Sequence, residues 1–307
     1  MQTLHPLRRT RDFGQTISDT IQFLKDHWKN LVILYLVFVV PFLLTATLLG
    51  ANSLSGFVKL MATDTGMTGL DNIFTIFTPQ FMIALLMYFI SAVSYSTVTY
   101  LYMRLFEERG GESPTISDVG ALFFNRFMSN TGYMLVLFVG FILMAMLAIV
   151  PILGILLFIF GIVYLMVSTS ILFPINTIEN NPFMQSFSRM FYLIRNNWLY
   201  TLGVFIILGL IYYFFAAVIG LVFNLVFGIS SINFLDTKSG MSGMSKKYFL
   251  VMGFSSIVQQ IFMQVVYIGL GIHYFSLREQ KDGSGLEDRL DQLGSGGSQH
   301  GHIEEQY

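Results

Sequence analysis

The stretch that decides the fold is YMLVLFVGFILMAMLAIVPILGILLFIFGIVYLMVSTSILFPI (133–175), which contains no Asp, Glu, Lys or Arg. It exceeds 40 residues, whereas an apolar run of about 20 residues is enough to cross a bilayer as a helix. Because proline lacks an amide donor and glycine permits a tight reversal, we expect the chain to turn between Pro151 and Gly154. The stretch therefore predicts a transmembrane helical hairpin with almost no external loop.

Four more apolar runs bring the number of predicted spans to six, and none of the six contains Asp, Glu, Lys or Arg. The predicted spans are 31–50, 81–103, 133–150, 154–175, 199–227 and 248–275. Hydrophobic residues make up 54% of the chain and charged residues only 11%, whereas soluble domains carry roughly 25% charged residues. The composition predicts an all-α integral membrane protein.

The Lys and Arg residues predict the orientation of the spans. Thirteen of the 17 lie before the first span, after the sixth, or between spans two and three and spans four and five. Cytoplasmic loops carry such an excess, so we expect both termini in the cytoplasm. The predicted division is 1–30, a cytoplasmic N-terminal segment with an interfacial helix; 31–275, the six-span domain; and 276–307, a partly disordered cytoplasmic tail.

A similar amphipathic segment precedes each odd-numbered span. The three segments read ISDTIQFLKDHWKN (17–30), ISDVGALFFNRFMSN (116–130) and NPFMQSFSRMFYLIRNNW (181–198). Their apolar residues recur at helical spacing, and such helices lie in the headgroup layer, where they orient spans, remodel membranes or dock partners. The predicted interfacial anchors are Trp28, Trp198, Arg189 and Arg195. The chain is thus predicted to contain three repeats, each an interfacial amphipathic helix followed by a transmembrane hairpin.

The sixth span is the most polar one. Ser256, Gln260 and Gln264 follow one another at four-residue steps and are expected to share one helix face. Such a face either lines a polar cavity, where it could bind a lipid headgroup, or holds neighbouring helices together by hydrogen bonds. We expect the second use, because it requires nothing more than an adjacent helix.

The sequence offers no residues for catalysis. It has no cysteine, and no Ser–His–Asp arrangement, phosphate-binding loop, dinucleotide glycine pattern or HExxH motif. We therefore expect no enzyme activity, no cofactor and no metal. The net charge is −1 and the cations are dispersed, so nucleic acid is not an expected partner. The expected partners are membrane lipids and either another membrane protein or a second copy of the chain.

Two segments carry a resemblance to a known family. FPINTIENNPFMQSFSRMFYLIRNNWLYTLG (173–203) is similar to the membrane domain found with glycerophosphodiester phosphodiesterases, and GIHYFSLREQKDGSGLEDRLDQLG (271–294) resembles the closing segment of uncharacterised six-span membrane proteins of the Bacteroidetes group. The resemblance implies a six-span layout in a bacterial membrane. It assigns no activity, because the phosphodiesterase catalytic domain is absent and its activity cannot be carried over. Within the first segment we expect Glu179 to pair with a cytoplasmic Arg or with the amides that begin the next helix.

Together these patterns predict a non-enzymatic inner-membrane scaffold or accessory subunit of a membrane protein complex. The alternative is a transporter or lipid-handling protein with a polar cavity near span six. The absence of Asp, Glu, Lys and Arg from the apolar runs favours the first hypothesis, because ion-coupled transporters place ionisable groups at mid-membrane.

Overall fold

A computed structural model describes residues 7–62, 78–150, 152–228 and 246–283, and these residues form helices and no strands. The helices are α1 (Phe13–Phe38), α2 (Val40–Ala62), α3 (Pro79–Glu108), α4 (Ile116–Leu147), α5 (Leu153–Thr169), α6 (Leu172–Glu179), α7 (Phe183–Ile194), α8 (Trp198–Phe223), α9 (Lys246–Gln260) and α10 (Gln264–Asp282). The all-α class is confirmed, while the tail beyond Gly283 lies outside the described residues.

The long apolar helices match the predicted spans. Five stretches are long and apolar enough to cross a membrane, and a sixth is added when α1 and α2 count as one span. That pair bends by 48° beside Val39, where Pro41 lacks the amide proton needed to continue the helix. α5 and α6 together form the fourth stretch, and α9 and α10, joined by a 3₁₀ turn at Ile261–Met263, form the last. The chain is a multi-pass membrane protein.

The three predicted amphipathic segments differ in form. The first two continue into their spans without interruption, inside α1 and α4, and each helix begins with a capping box, at Asp12 and Thr115 respectively. Only the third segment forms a separate helix, α7. Asn196 ends it in a left-handed conformation with φ 71°, which asparagine tolerates better than most residues. The interfacial helix is thus a distinct element in one of the three repeats.

The predicted hairpin is confirmed between α4, which ends at Leu147, and α5, which begins at Leu153. Ile152 takes a positive φ of 61° in the turn. A Cβ added at Gly154 would overlap the backbone carbonyl of Leu147, so the chain can reverse this tightly only because that position has no side chain.

Burial is greatest in the second half of α3 and in α10, whose aromatic residues include the fully buried Tyr95, Tyr102 and Tyr274. By contrast, α4, α5 and α8 expose most of their apolar side chains, as helices that face lipid do. The C-terminal ends of α3 and α10 lie close together, since Arg104, Glu107 and Arg278 line the same cavity.

Candidate functional site

Charged side chains from four parts of the chain meet at one end of the bundle. We call this region the charged end; it comprises residues 8–19, 104–118, 178–195 and 278–283. Arg8 pairs with Glu107, Arg104 donates to the carbonyl oxygen of Thr177 over 3.3 Å, and Arg189 pairs with Asp282. These contacts connect the N-terminal segment, α3, α6, α7 and α10.

Glu179, the last residue of α6, binds three partners. One carboxylate oxygen accepts hydrogen bonds from Tyr274 Oη at 2.8 Å and from Arg189 Nε at 3.3 Å, and the other accepts from Asn181 Nδ2 at 2.8 Å. The side chain of Glu179 is only 10% exposed. The expected pairing of Glu179 with an arginine is confirmed, and the partner is Arg189 on α7.

Arg189 connects α7 to α10. It pairs with both carboxylate oxygens of Asp282, and its guanidinium lies 5.4 Å from the ring centroid of Tyr192. Burial alone would lower the pKa of Arg189, but the hydrogen bonds and negative charges of Asp282 and Glu179 outweigh burial and raise it. Arg189 therefore stays protonated and holds α7 in place.

A cavity of about 360 Å³ opens among these residues. We call it the arginine pocket. Its lining consists of Arg8, Arg104, Arg189, Arg278, Glu107, Glu108, Glu179, Ile178 and Asn181. Four arginines and three glutamates give the lining a net charge of +1.

Arg278 has the longest ion pair among the four arginines of the lining. Glu107 is bound by Arg8, Glu108 by Arg104 at 2.7 Å, and Glu179 by Arg189. The buried Nε of Arg278 has no hydrogen-bond partner among the described residues. Its ion pair is with Asp282, 3.9 Å away, and Arg189 already holds both oxygens of that carboxylate. An anionic group could therefore bind the Nε of Arg278 without displacing a hydrogen bond of that atom.

The predicted interfacial anchors occupy different surroundings. Arg189 lines the arginine pocket, whereas Arg195 is exposed at the end of α7. Trp198 stacks on Tyr164 with ring centroids 5.8 Å apart. Trp28 is 53% exposed and lies 5.9 Å from the ammonium group of Lys29. The structure thus brings only Arg189 into a site.

The predicted polar residues of span six do not share one continuous face, because the 3₁₀ turn lies between Gln260 and Gln264. Gln264 is buried and donates to the carbonyl oxygen of Leu31 at 2.8 Å. Ser256 donates within its own helix, and Gln260 accepts a hydrogen bond from Tyr95 Oη at 2.8 Å through its backbone carbonyl. The contacts of Gln264 and of the Gln260 carbonyl hold helices together, whereas the contact of Ser256 stays within one helix.

A buried amide network that the sequence did not reveal joins α3, α4 and α6. Asn130 donates to Thr97 at 2.9 Å and to Thr177 at 3.0 Å, and it accepts from Asn176 at 2.6 Å. Asn130 and Asn176 lie on segments that the sequence treated as separate, at the end of an amphipathic segment and just after a span. Their only signal was the presence of amides beside apolar runs, which need partners in a membrane.

We expect Gln264→Leu to lower the free energy of unfolding by about 1 kcal/mol, because it removes one hydrogen bond between buried helices. Unfolding in mixed detergent micelles with increasing dodecyl sulfate, followed by far-ultraviolet circular dichroism, measures the change. Gln260→Leu is the matched control and should cause no measurable loss, since Tyr95 binds the backbone of that residue. An equal loss in both variants would contradict the assignment.

In the ranges that the structure describes, no three His, Asp or Glu side chains lie close enough together to hold a metal ion. No protein-family model matches the chain, and no curated protein and no solved structure matches it.

Proposed function

We propose that this chain is a non-enzymatic scaffold or accessory subunit of a bacterial inner-membrane protein complex. The observation that carries the proposal is that buried polar residues form hydrogen bonds to neighbouring helices. Asn130 and Gln264 bond to neighbouring helices, and Tyr35 donates to the carbonyl of Ile257 at 2.6 Å. Buried polar residues that hydrogen-bond neighbouring helices favour a rigid body over an alternating-access transporter.

The charged end is proposed to face the cytoplasm, with both termini on that side. Most Lys and Arg residues outside the spans belong to its segments or adjoin them, and the positive-inside rule places such segments in the cytoplasm. Helix α7 supports an interfacial position, because it buries Met190 and Leu193 while it exposes Met184 and Tyr192. In this arrangement α7 contacts lipid headgroups or a partner protein.

The proposal is tested by affinity purification of the full chain from membranes in a mild detergent, followed by mass spectrometry and a molar-mass measurement. We expect another membrane protein, or a second copy of the chain, in stoichiometric amount. An unrelated six-span protein with the same tag, purified in parallel, is the control for non-specific recovery. A strictly monomeric protein with no reproducible companion would contradict the proposal.

The alternative, a lipid-handling protein, has one observation in its favour. The arginine pocket lies at the end of the last predicted span, because Arg278 belongs to α10. This cavity lies at the charged end, a different place from the polar cavity predicted near Gln260.

A further inference from the structure

We propose that the arginine pocket binds a phosphate group, with Arg278 as the main contact. The phosphate is either that of a lipid headgroup or a free anion, and the two share the recognised chemistry. This inference goes beyond the scaffold proposal, because the pocket can hold an anion whether or not a partner protein is bound.

The charges around the cavity favour an anion at Arg278. Each glutamate of the lining is bound by a different arginine. The ion pair of Arg278 with Asp282 is long, at 3.9 Å, and Arg189 binds the same carboxylate at shorter distance. A buried or half-buried guanidinium favours an anionic partner, because burial removes the water that would otherwise solvate its charge. Its Nε has no partner among the described residues, so a donor is already in place for a ligand oxygen.

Two arginines of the pocket are held in position by contacts within the protein, before any ligand binds. Arg104 is fixed by Glu108 at 2.7 Å and by the carbonyl of Thr177 at 3.3 Å. Arg189 is fixed by Glu179 and Asp282. Each guanidinium carries five N–H donors, so these bonds hold the side chains still while other donors remain for a ligand. Arginines that approach from different helices suit a tetrahedral oxyanion with several acceptor oxygens.

The size and the position of the cavity also suit a phosphate group. The cavity of about 360 Å³ falls in the range of small-molecule sites, roughly 300–1,000 Å³. It lies where apolar spans end, beside the amphipathic helix α7 that carries Arg189. Phospholipid headgroups reside at that level of a membrane, and a phosphate dissolved in the cytoplasm would reach the same opening.

The experiment measures thermal unfolding of the purified full chain in a mild detergent. One arm titrates sodium phosphate against sodium chloride at equal ionic strength, and the other compares mixed micelles that contain phosphatidylglycerol or phosphatidylcholine. We expect wild-type protein to be stabilised by phosphate, by phosphatidylglycerol, or by both. Arg278→Gln should weaken binding roughly tenfold, because a charge-assisted hydrogen bond is lost.

Arg195→Gln is the matched control, since it removes one positive charge from an exposed position outside the pocket. This variant should bind phosphate or phosphatidylglycerol as tightly as the wild-type protein does. Should Arg278→Gln fail to fold, Arg278→Lys keeps the charge but loses the planar donor fork, and it should still weaken binding.

The outcomes separate the sources of the phosphate. Stabilisation by sodium phosphate alone identifies a free anion as the ligand, and stabilisation by phosphatidylglycerol alone identifies a lipid headgroup. No stabilisation of wild-type protein in either arm overturns the inference, as does equal weakening in Arg278→Gln and Arg195→Gln. Neither result bears on whether a partner protein is recovered, so the scaffold proposal stands or falls separately.

Discussion

Gly154→Ala is expected to lower the free energy of unfolding by about 3 kcal/mol, the upper end of what overpacking costs. The added Cβ would overlap the carbonyl oxygen of Leu147 and the side chain of Val150. The backbone carbonyl cannot rotate away as a flexible side chain can, because it belongs to the last turn of α4. The turn must open, and α5 then loses its close approach to α4.

Unfolding by dodecyl sulfate in mixed micelles measures this loss, and size-exclusion chromatography of the detergent extract shows whether the variant still folds. Gly140→Ala is the matched control, since nothing lies within 4 Å of a Cβ added at that position in α4. Alanine is a better helix former than glycine by up to about 1 kcal/mol, so the control should be neutral or stabilised. If Gly154→Ala were as stable as the control, the tight turn would be refuted.

Glu179→Gln is expected to have the second largest effect, a loss of about 2 kcal/mol. The substitution leaves Arg189 with one carboxylate partner instead of two and replaces an acceptor of Asn181 with an amide. Loss of one member of a buried pair costs about 3–5 kcal/mol, and we expect less here because the Arg189 side chain is 22% exposed. The contact between α6 and α7 should loosen first.

The same unfolding measurement tests this expectation. Glu112→Gln serves as the control, since Glu112 is exposed and lies in the connection between α3 and α4. The two variants change the net charge equally, so a difference between them reports the contacts of Glu179. Comparable stability of Glu179→Gln and Glu112→Gln would show that the ion pairs at the charged end contribute little.

The sequence by itself determined the class of fold and the positions of the long apolar helices. The bilayer core demands long apolar helices, so composition and run length are enough to locate them. The turn at Gly154 was also predictable, because glycine is one of the few residues that permits so tight a reversal. Asn196, which separates α7 from its span, carried a weaker signal, since most asparagines lie in ordinary conformations.

The continuity of α1 and α4 was decided by tertiary packing rather than by local pattern. Each amphipathic segment could have lain flat on the membrane, but its polar residues find partners in the bundle. His27 and Tyr102 lie within hydrogen-bond distance at 3.0 Å, and Asn130 reaches α3 and α6. Such contacts join positions far apart in the chain, which hydropathy does not register.

Only the tertiary structure brought the arginine pocket together. Arg8, Arg104, Glu179 and Arg278 are separated by more than 70 positions from one to the next, and in the sequence the arginines among them appear only as independent orientation signals. Their pairing depends on which helix ends become neighbours. A positive charge influences topology at any position of a cytoplasmic segment close to the end of a span. It forms a site only where other elements place complementary groups within a few ångströms.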